Sequence, residues 1–239
     1  MGDLGDGGRL VRTLAPRLAS HADDGNGRRA PVLVWQFDEP VRCVATAVLG
    51  GGLGERRWIT NATVGFHYAS DDPAAHAAAI AAECGLAEAA GVGLLTAVDV
   101  STFTAATDGG AEAVATTGLG AITWAAAGDG HHDEWVHGTV NLVAWVPEPI
   151  ADAALVNLVA TITEAKAQAF TEARVPATGT PSDAVVVCCP TGPTGPAGPA
   201  PDDDRHRYGG PRSYWGARTA RAAHAAISLG IDRDRARPR

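Results

Sequence analysis

The stretch from Ala153 to Cys189 limits what this chain can fold into more than any other. It opens as a long helical pattern, stops at Val175-Pro176, and crosses a polar turn, Ala177-Thr178-Gly179-Thr180-Pro181-Ser182-Asp183. It then enters a short apolar strand, Ala184 to Cys189. A helix beside a buried strand holds the loop between them rigidly, which suits a loop that carries chemistry. At about 100° per residue, Leu155, Val159, Ile162 and Lys166 share one line, flanked by Leu158, Ala165 and Ala169. Asn157, Thr161, Glu164 and Gln168 fall opposite. Lys166 is the only lysine in the chain. In an apolar stripe its ammonium must snorkel, pair or lose its charge. Two readings stand together: a lysine reaching past the core edge, favoured by the helix dipole, and a functional group.

The remaining pattern places strands in runs, at 31–69 and 94–146, with helices between and after them. That implies an α+β fold, helices packed on a mainly antiparallel or mixed β-sheet in a single layered domain, rather than a doubly wound one. Strands are expected at 31–37 and 41–49, joined by a turn at Asp38-Glu39-Pro40, and at 58–68. Asp71-Asp72-Pro73 starts an alanine-rich helix running to about Ala90. Further strands are expected at 94–98, 112–117, 121–127 and 134–146, with Asp129-Gly130 as a hairpin turn and Asp99 to Asp108 as a polar stretch with a helical turn. Asp152 is well placed for the start of the organising helix. Residues 1–30 read as a flexible N-terminal segment, 31–231 as the domain, 190–208 as a Pro/Gly-rich loop within it, and 232–239 as a charged tail after a terminal helix over 215–229.

Composition excludes several classes. With 239 residues and 46% hydrophobic content, the chain can bury a full core. A net charge of −8 is a poor match to nucleic acid. The acidic start, Met1 to Asp6, lacks the basic and apolar regions of a signal peptide, and no run is long and apolar enough for a membrane span. The expected setting is the cytoplasm, without nucleic-acid or membrane partners, and with a homo-oligomer allowed. Cys43, Cys84, Cys188 and Cys189 contain no C-x-x-C and read as small core residues rather than a disulfide framework or zinc site.

Candidate chemistry is sparse. His131-His132-Asp133-Glu134-Trp135-Val136-His137 is not H-E-x-x-H and follows a hairpin turn, so a polar tip explains it better than a metal site. No metal or cofactor is expected. His137 leads into Gly138-Thr139-Val140-Asn141, where Asn141 stands in an apolar run and needs a partner if buried. It is read either as an internal fastener or as an amide orienting a substrate or oxyanion. Thr178, Thr180 and Ser182 share one turn with Asp183, without a G-x-S-x-G elbow. Gly50-Gly51-Gly52 follows a strand and lets backbone approach a ligand, although on pattern alone a flexible turn explains it better.

An ordered set of segments resembles the adenosylcobinamide amidohydrolase family over residues 40–228. The segments are Gly50-Gly51-Gly52 before Ile59-Thr60-Asn61-Ala62-Thr63-Val64; Gly93 to Val100; Gly138-Thr139-Val140-Asn141-Leu142; Thr163-Glu164-Ala165-Lys166-Ala167-Gln168-Ala169; Thr178-Gly179-Thr180-Pro181-Ser182-Asp183-Ala184; and Gly209-Gly210-Pro211. The resemblance implies hydrolysis of the amide joining the aminopropanol arm to the corrin ring of adenosylcobinamide, giving adenosylcobyric acid and 1-amino-2-propanol in corrinoid salvage. It carries no catalytic assignment. Amide hydrolysis needs an activated nucleophile, a proton for the leaving amine and donors for the oxyanion. On that chemistry Asp183 is read as general base on water, Ser182 or Thr180, with Lys166 as stabiliser or acid. Asn61 and Asn141 are read as donors, Gly50 to Gly52 and His137 as substrate contacts, and Glu164 as a candidate from the motif alone. The alternative is a corrinoid-binding protein without hydrolysis.

Overall fold

The computed structural model describes residues 14–22, 28–66, 68–128, 138–192 and 203–237. The strands are β1 (Arg17–Ala22), β2 (Arg29–Ala45), β3 (Gly52–Thr63), β4 (Gly91–Thr96), β5 (Thr104–Asp108), β6 (Ala111–Gly118), β7 (Thr139–Trp145) and β8 (Ala184–Pro190). The helices are α1 (Pro73–Glu83), α2 (Asp152–Glu172), α3 (Asp204–Arg207) and α4 (Tyr214–Arg235). One mixed sheet runs in the order β4-β3-β2-β8-β7-β6-β5, with β1 pairing to β2 outside that path. The expected α+β architecture is therefore present.

Two pairs are parallel, β3 with β4 and β7 with β8. Each needs a crossover, and α1 and α2 supply them. Local chemistry fixes the helix starts. Asp72 accepts from the Ala75 N–H at 2.9 Å with Pro73 in the first turn, and Ser213 accepts from the Gly216 N–H at 3.1 Å. At α2 the N-cap is Ala151, without a side-chain cap, and Asp152 complements the dipole while pairing with Arg42 of β2. Arg174 adopts φ 56° just past α2, and the Val175 N–H returns to the Phe170 carbonyl at 2.8 Å, closing the helix before Pro176.

Alternation along the strands sorts side chains into separate cores. Val140, Leu142, Val185, Val187 and Cys189 face α2 and α4, whereas Val143, Trp145, Val186 and Cys188 join Leu33, Trp35, Ile59 and Leu94 on the inner face. Val32, Val34 and Trp58 pack outward against Ile80 and Ala81 of α1. The sheet coils strongly. β3 and β7 stand three strands apart in the order, about 14 Å if flat, yet Asn141 donates to Asn61 at 3.0 Å.

Several expectations change. The turn at residues 38–40 is an irregularity within a continuous β2, between Gln36 and Val41. Arg17–Ala22 is a strand on β2, and Leu14 is buried with its carbonyl accepting from Trp35 Nε1 at 3.1 Å, so part of the expected loose N-terminal segment is docked. α1 stops at Glu83 rather than near Ala90, and residues 104–108 form β5 after a short 3-10 turn. Residues 121–127 form no strand; Thr123 makes one bridge to Gly179. α4 continues to Arg235, taking up part of the expected tail, and Asp204–Arg207 forms a short helix inside the expected loop. The expected hairpin and histidine run at 129–137 lie outside the described residues, as do 193–202 of the Pro/Gly stretch.

The cysteine reading is also corrected. Cys43 and Cys188 are partners across antiparallel β2 and β8, with Cα atoms 4.3 Å apart, and are joined in a disulfide. Such a closely spaced antiparallel pair brings two side chains together from positions far apart in sequence. Cys84 and Cys189 are free. Burial pushes the Cys189 thiol up to about 11. Among the described residues, no helix is long and apolar enough to cross a membrane.

Candidate active site

The turn between α2 and β8 folds back over the helix. Asp183 accepts four hydrogen bonds: at Oδ1 from the Val140 N–H at 2.8 Å and from the Thr180 hydroxyl, at Oδ2 from the Thr180 N–H at 3.1 Å and from Lys166 Nζ. The Lys166 and Asp183 side chains are 11% and 14% exposed, so the ion pair is largely withdrawn from water. The lone lysine pairs and does not snorkel. A carboxylate has about four acceptor directions, and here all are taken. Of the hydroxyls expected beside it, that of Thr180 is the one that donates to Asp183. The Ser182 hydroxyl is engaged elsewhere: it lies 2.9 Å from Thr139 Oγ1 and donates to the Gly138 carbonyl at 3.2 Å.

Gly179 makes this packing possible. A Cβ there would strike Asp183 Oδ2 and Lys166 Nζ, so a larger residue would separate the loop from the ion pair. The loop is also tied laterally. Thr123 donates its N–H to the Gly179 carbonyl at 2.9 Å and accepts from the Thr178 and Gly179 N–H groups, while Thr178 Oγ1 accepts from the Ala125 N–H at 2.8 Å.

Asn61 and Asn141 meet inside the coiled sheet, each 2% exposed. Asn141 Nδ2 donates to the Leu95 carbonyl at 3.1 Å and to Asn61 Oδ1 at 3.0 Å, and Asn61 Nδ2 donates to Thr116 Oγ1 at 3.0 Å. A backbone carbonyl only accepts, so Leu95 fixes the orientation of Asn141, which in turn fixes that of Asn61. Both N–H groups of Asn141 are thereby committed internally, and one of those of Asn61 is held by Thr116 Oγ1. Asn141, expected as a donor toward an oxyanion, spends both N–H groups inside the protein; the group left over on it is Oδ1, buried and without a partner.

Two cavities flank the loop. One, of about 490 Å³, lies inside the sheet mouth and includes Asn141, Thr139, Ser182 and Asp183 in its wall. The other, of about 530 Å³, lies on the α2 face and includes Lys166, Thr180, Asp183 and Thr123. Thr46, Pro181 and Asp183 border both. Glu164 is exposed yet also lines the α2-side cavity, so the opening wraps around the helix beyond the stripe read from periodicity. Thr161, expected on the polar side, is buried with its hydroxyl on the Gly209 carbonyl at 2.8 Å.

Gly50, Gly51 and Gly52 line neither cavity. Gly50 and Gly52 take φ of 69° and 83°, and a Cβ on Gly50 would strike the Gly91 carbonyl, so the run serves the close β2–β3 turn against β4. His137 lies outside the described residues. Among those described, no group of three or more potential metal ligands gathers. The residues not singled out from sequence are Gly179, Thr123, Thr139 and the Val140 N–H. Gly179, Thr139 and Val140 lie within the ordered motif segments, whereas Thr123 left no local trace.

Fold and site define the class first: a single-sheet α+β protein holding a hydroxyl, a carboxylate and an ammonium in one buried hydrogen-bonded set. A sequence model described as adenosylcobinamide amidohydrolase matches residues 15–239. The chain belongs to that family, as its ordered motifs imply. It is also 43% identical over 102 residues to an adenosylcobinamide amidohydrolase of Halobacterium salinarum. The aligned stretch is 42% of this chain and 39% of the relative's length.

Proposed function

We propose that the protein hydrolyses the amide between the corrin ring and the aminopropanol arm of adenosylcobinamide, giving adenosylcobyric acid and 1-amino-2-propanol in corrinoid salvage. The observation that carries the mechanism is the four-donor environment of Asp183. Thr180 Oγ1, already donating to that carboxylate, is the nucleophile. Its oxygen bonds to the amide carbon as its proton passes to Asp183. Lys166 spends one donor on Asp183, and its charge stabilises the oxyanion. The carbon–nitrogen bond then breaks, and the proton held by Asp183 leaves with the amine. Water hydrolyses the resulting ester to the carboxylate and restores the Thr180 hydroxyl. The four-donor cage leaves Asp183 as partner to Thr180 rather than to water. Ser182 has its own partners and stays outside the set.

A macrocycle exceeds either cavity, so an arm enters while the ring lies over the mouth. Incubation with adenosylcobinamide, followed by mass analysis, tests the reading. Release of free 1-amino-2-propanol with adenosylcobyric acid is expected. Tight corrinoid binding with no amine released would replace the enzyme by a binding protein. A Thr180→Val protein that folds and retains turnover would remove the nucleophile.

A further inference from the structure

The inner cavity has a chemical preference of its own, separate from the Thr180 set. Asn141 Oδ1 is one half of it. Its amide nitrogen is held by the Leu95 carbonyl and Asn61, so the carbonyl edge points away from both, and Asn141 forms part of this cavity's wall. The oxygen has no partner. A buried acceptor left unmatched is unusual in a native protein, and it costs stability until a donor arrives.

The second half comes from the neighbouring hydroxyls. Ser182 donates its proton to the Gly138 carbonyl, so it accepts from Thr139 in their mutual contact. Both hydroxyl protons are consumed internally, and the two side chains turn only lone pairs toward the cavity they line. Asp183 offers nothing further, since its four acceptor directions are filled and its charge is matched by Lys166. The rest of the wall is aliphatic at Val48, Val64, Leu94, Ala97 and Ala184, with hydroxyls at Thr46, Tyr68 and Thr96.

We infer that the inner cavity binds an aliphatic arm ending in a neutral N–H donor, a carboxamide, and that Asn141 Oδ1 is the acceptor that selects it. An apolar stalk fits the walls, N–H groups match the acceptors of Asn141, Ser182 and Thr139, and the hydroxyls of Thr46, Thr96 and Tyr68 elsewhere on the wall suit the amide carbonyl. A carboxylate in the same place would set lone pairs against Asn141 Oδ1. An ammonium would find no uncompensated negative charge. Asn141 thus acts as a specificity-determining residue by accepting, not donating. The inference rests on the amidase reading only for the identity of the arm, a side amide or the scissile amide of the corrinoid.

The test uses the whole chain and four small probes of like shape: butyramide, N,N-dimethylbutyramide, butyrate and butylamine. Titration followed by ¹H–¹⁵N NMR reads both affinity and place. Butyramide should bind roughly tenfold or more tighter than each of the other three, the factor expected when a buried acceptor is matched rather than left alone. It should also shift the Asn141 side-chain NH₂ signals. Equal affinities, a preference for butylamine or butyrate, or binding that leaves those signals in place would each overturn the inference. Asn141→Leu should bind butyramide and its dimethyl analogue alike. If that variant does not fold, the wild-type series decides alone. Turnover of adenosylcobinamide is measured on the same preparation. Turnover without carboxamide preference sinks this inference only, and preference without turnover sinks the amidase reading only.

Discussion

Replacing Lys166 separates two roles that its ion pair with Asp183 combines. Lys166→Met removes the charge and the donor together. Losing one partner of a buried pair costs roughly 3–5 kcal/mol, because the other charge is left without compensation. Asp183 would keep three donors, the Thr180 hydroxyl and N–H and the Val140 N–H. The lower end, about 3 kcal/mol, is therefore expected, and for a chain of this length that lowers Tm by about 6–12 °C. Lys166→Gln restores a donor toward Asp183 Oδ2 without restoring charge, so it should recover part of that loss. If Lys166 acts only as a strut, turnover should recover as well. If its charge stabilises the oxyanion, kcat should stay depressed about 10²–10³-fold in both variants. The assay is thermal unfolding by circular dichroism beside the rate of amine release from adenosylcobinamide. A Gln protein with kcat within about fivefold of wild type would refute the electrostatic role, whatever its Tm.

Three further outcomes follow from the same geometry. Gly179→Ala should push the loop off the ion pair, lowering kcat by roughly 10²-fold while costing only about 1–3 kcal/mol in unfolding; comparable activity in the two proteins would show that the loop has room. Arg42 hydrogen-bonds Asp152 and holds its carboxyl below the ordinary carboxylate range. A depressed folded-state value gives stability that is present above about pH 3.9, the unfolded value, and lost as pH falls through the folded one. The pair is part-exposed, so Asp152→Asn should cost about 1 kcal/mol at neutral pH and reduce the acid slope of the urea midpoint; parallel slopes would count against the pair. Thiol titration of the native, unreduced protein should modify Cys84 well before Cys189. Burial keeps the Cys189 thiol protonated to about 11, and rapid labelling of Cys189 at neutral pH would contradict its place in the core.

What could be read in the sequence was what depends on neighbours along the chain. The α2 pattern, its stop at Val175-Pro176 and the strand from Ala184 all lie within one stretch, and each is set by periodicity or by proline. The grouping of Thr180 and Asp183 was visible for the same reason, three residues apart in one turn. The phase of α2 was nearly right, but Thr161 is buried because Gly209, 48 residues away, brings a carbonyl to it. The turn assigned to residues 38–40 failed because an irregularity lets β2 pass through Pro40 while pairing continues on both sides. The disulfide was hidden because Cys43 and Cys188 are 145 residues apart and only sheet register makes them partners. In each case sheet register or a contact distant in sequence decided the outcome, which no local signal carries.

The placement of the site follows from the two crossovers. In the parallel pair β3–β4, the chain leaves the sheet near Thr63 and Thr96; in β7–β8, it enters near Thr139 and Ala184. Coiling brings the exits of the first pair against the entrances of the second, and the inner cavity takes wall residues from both, Leu95 and Thr96 with Thr139 and Ala184. Asn61 and Asn141 are the bond across this seam, one from the first strand of each crossover. A carboxylate at the entrance of β8 can then accept from the first free N–H of β7 while its other oxygen reaches the ammonium of the helix joining them. The seam thus gives one residue, Asp183, access to both cavities at once. That position could not be guessed from residues 177–183 alone, because it is a property of how two crossover units meet.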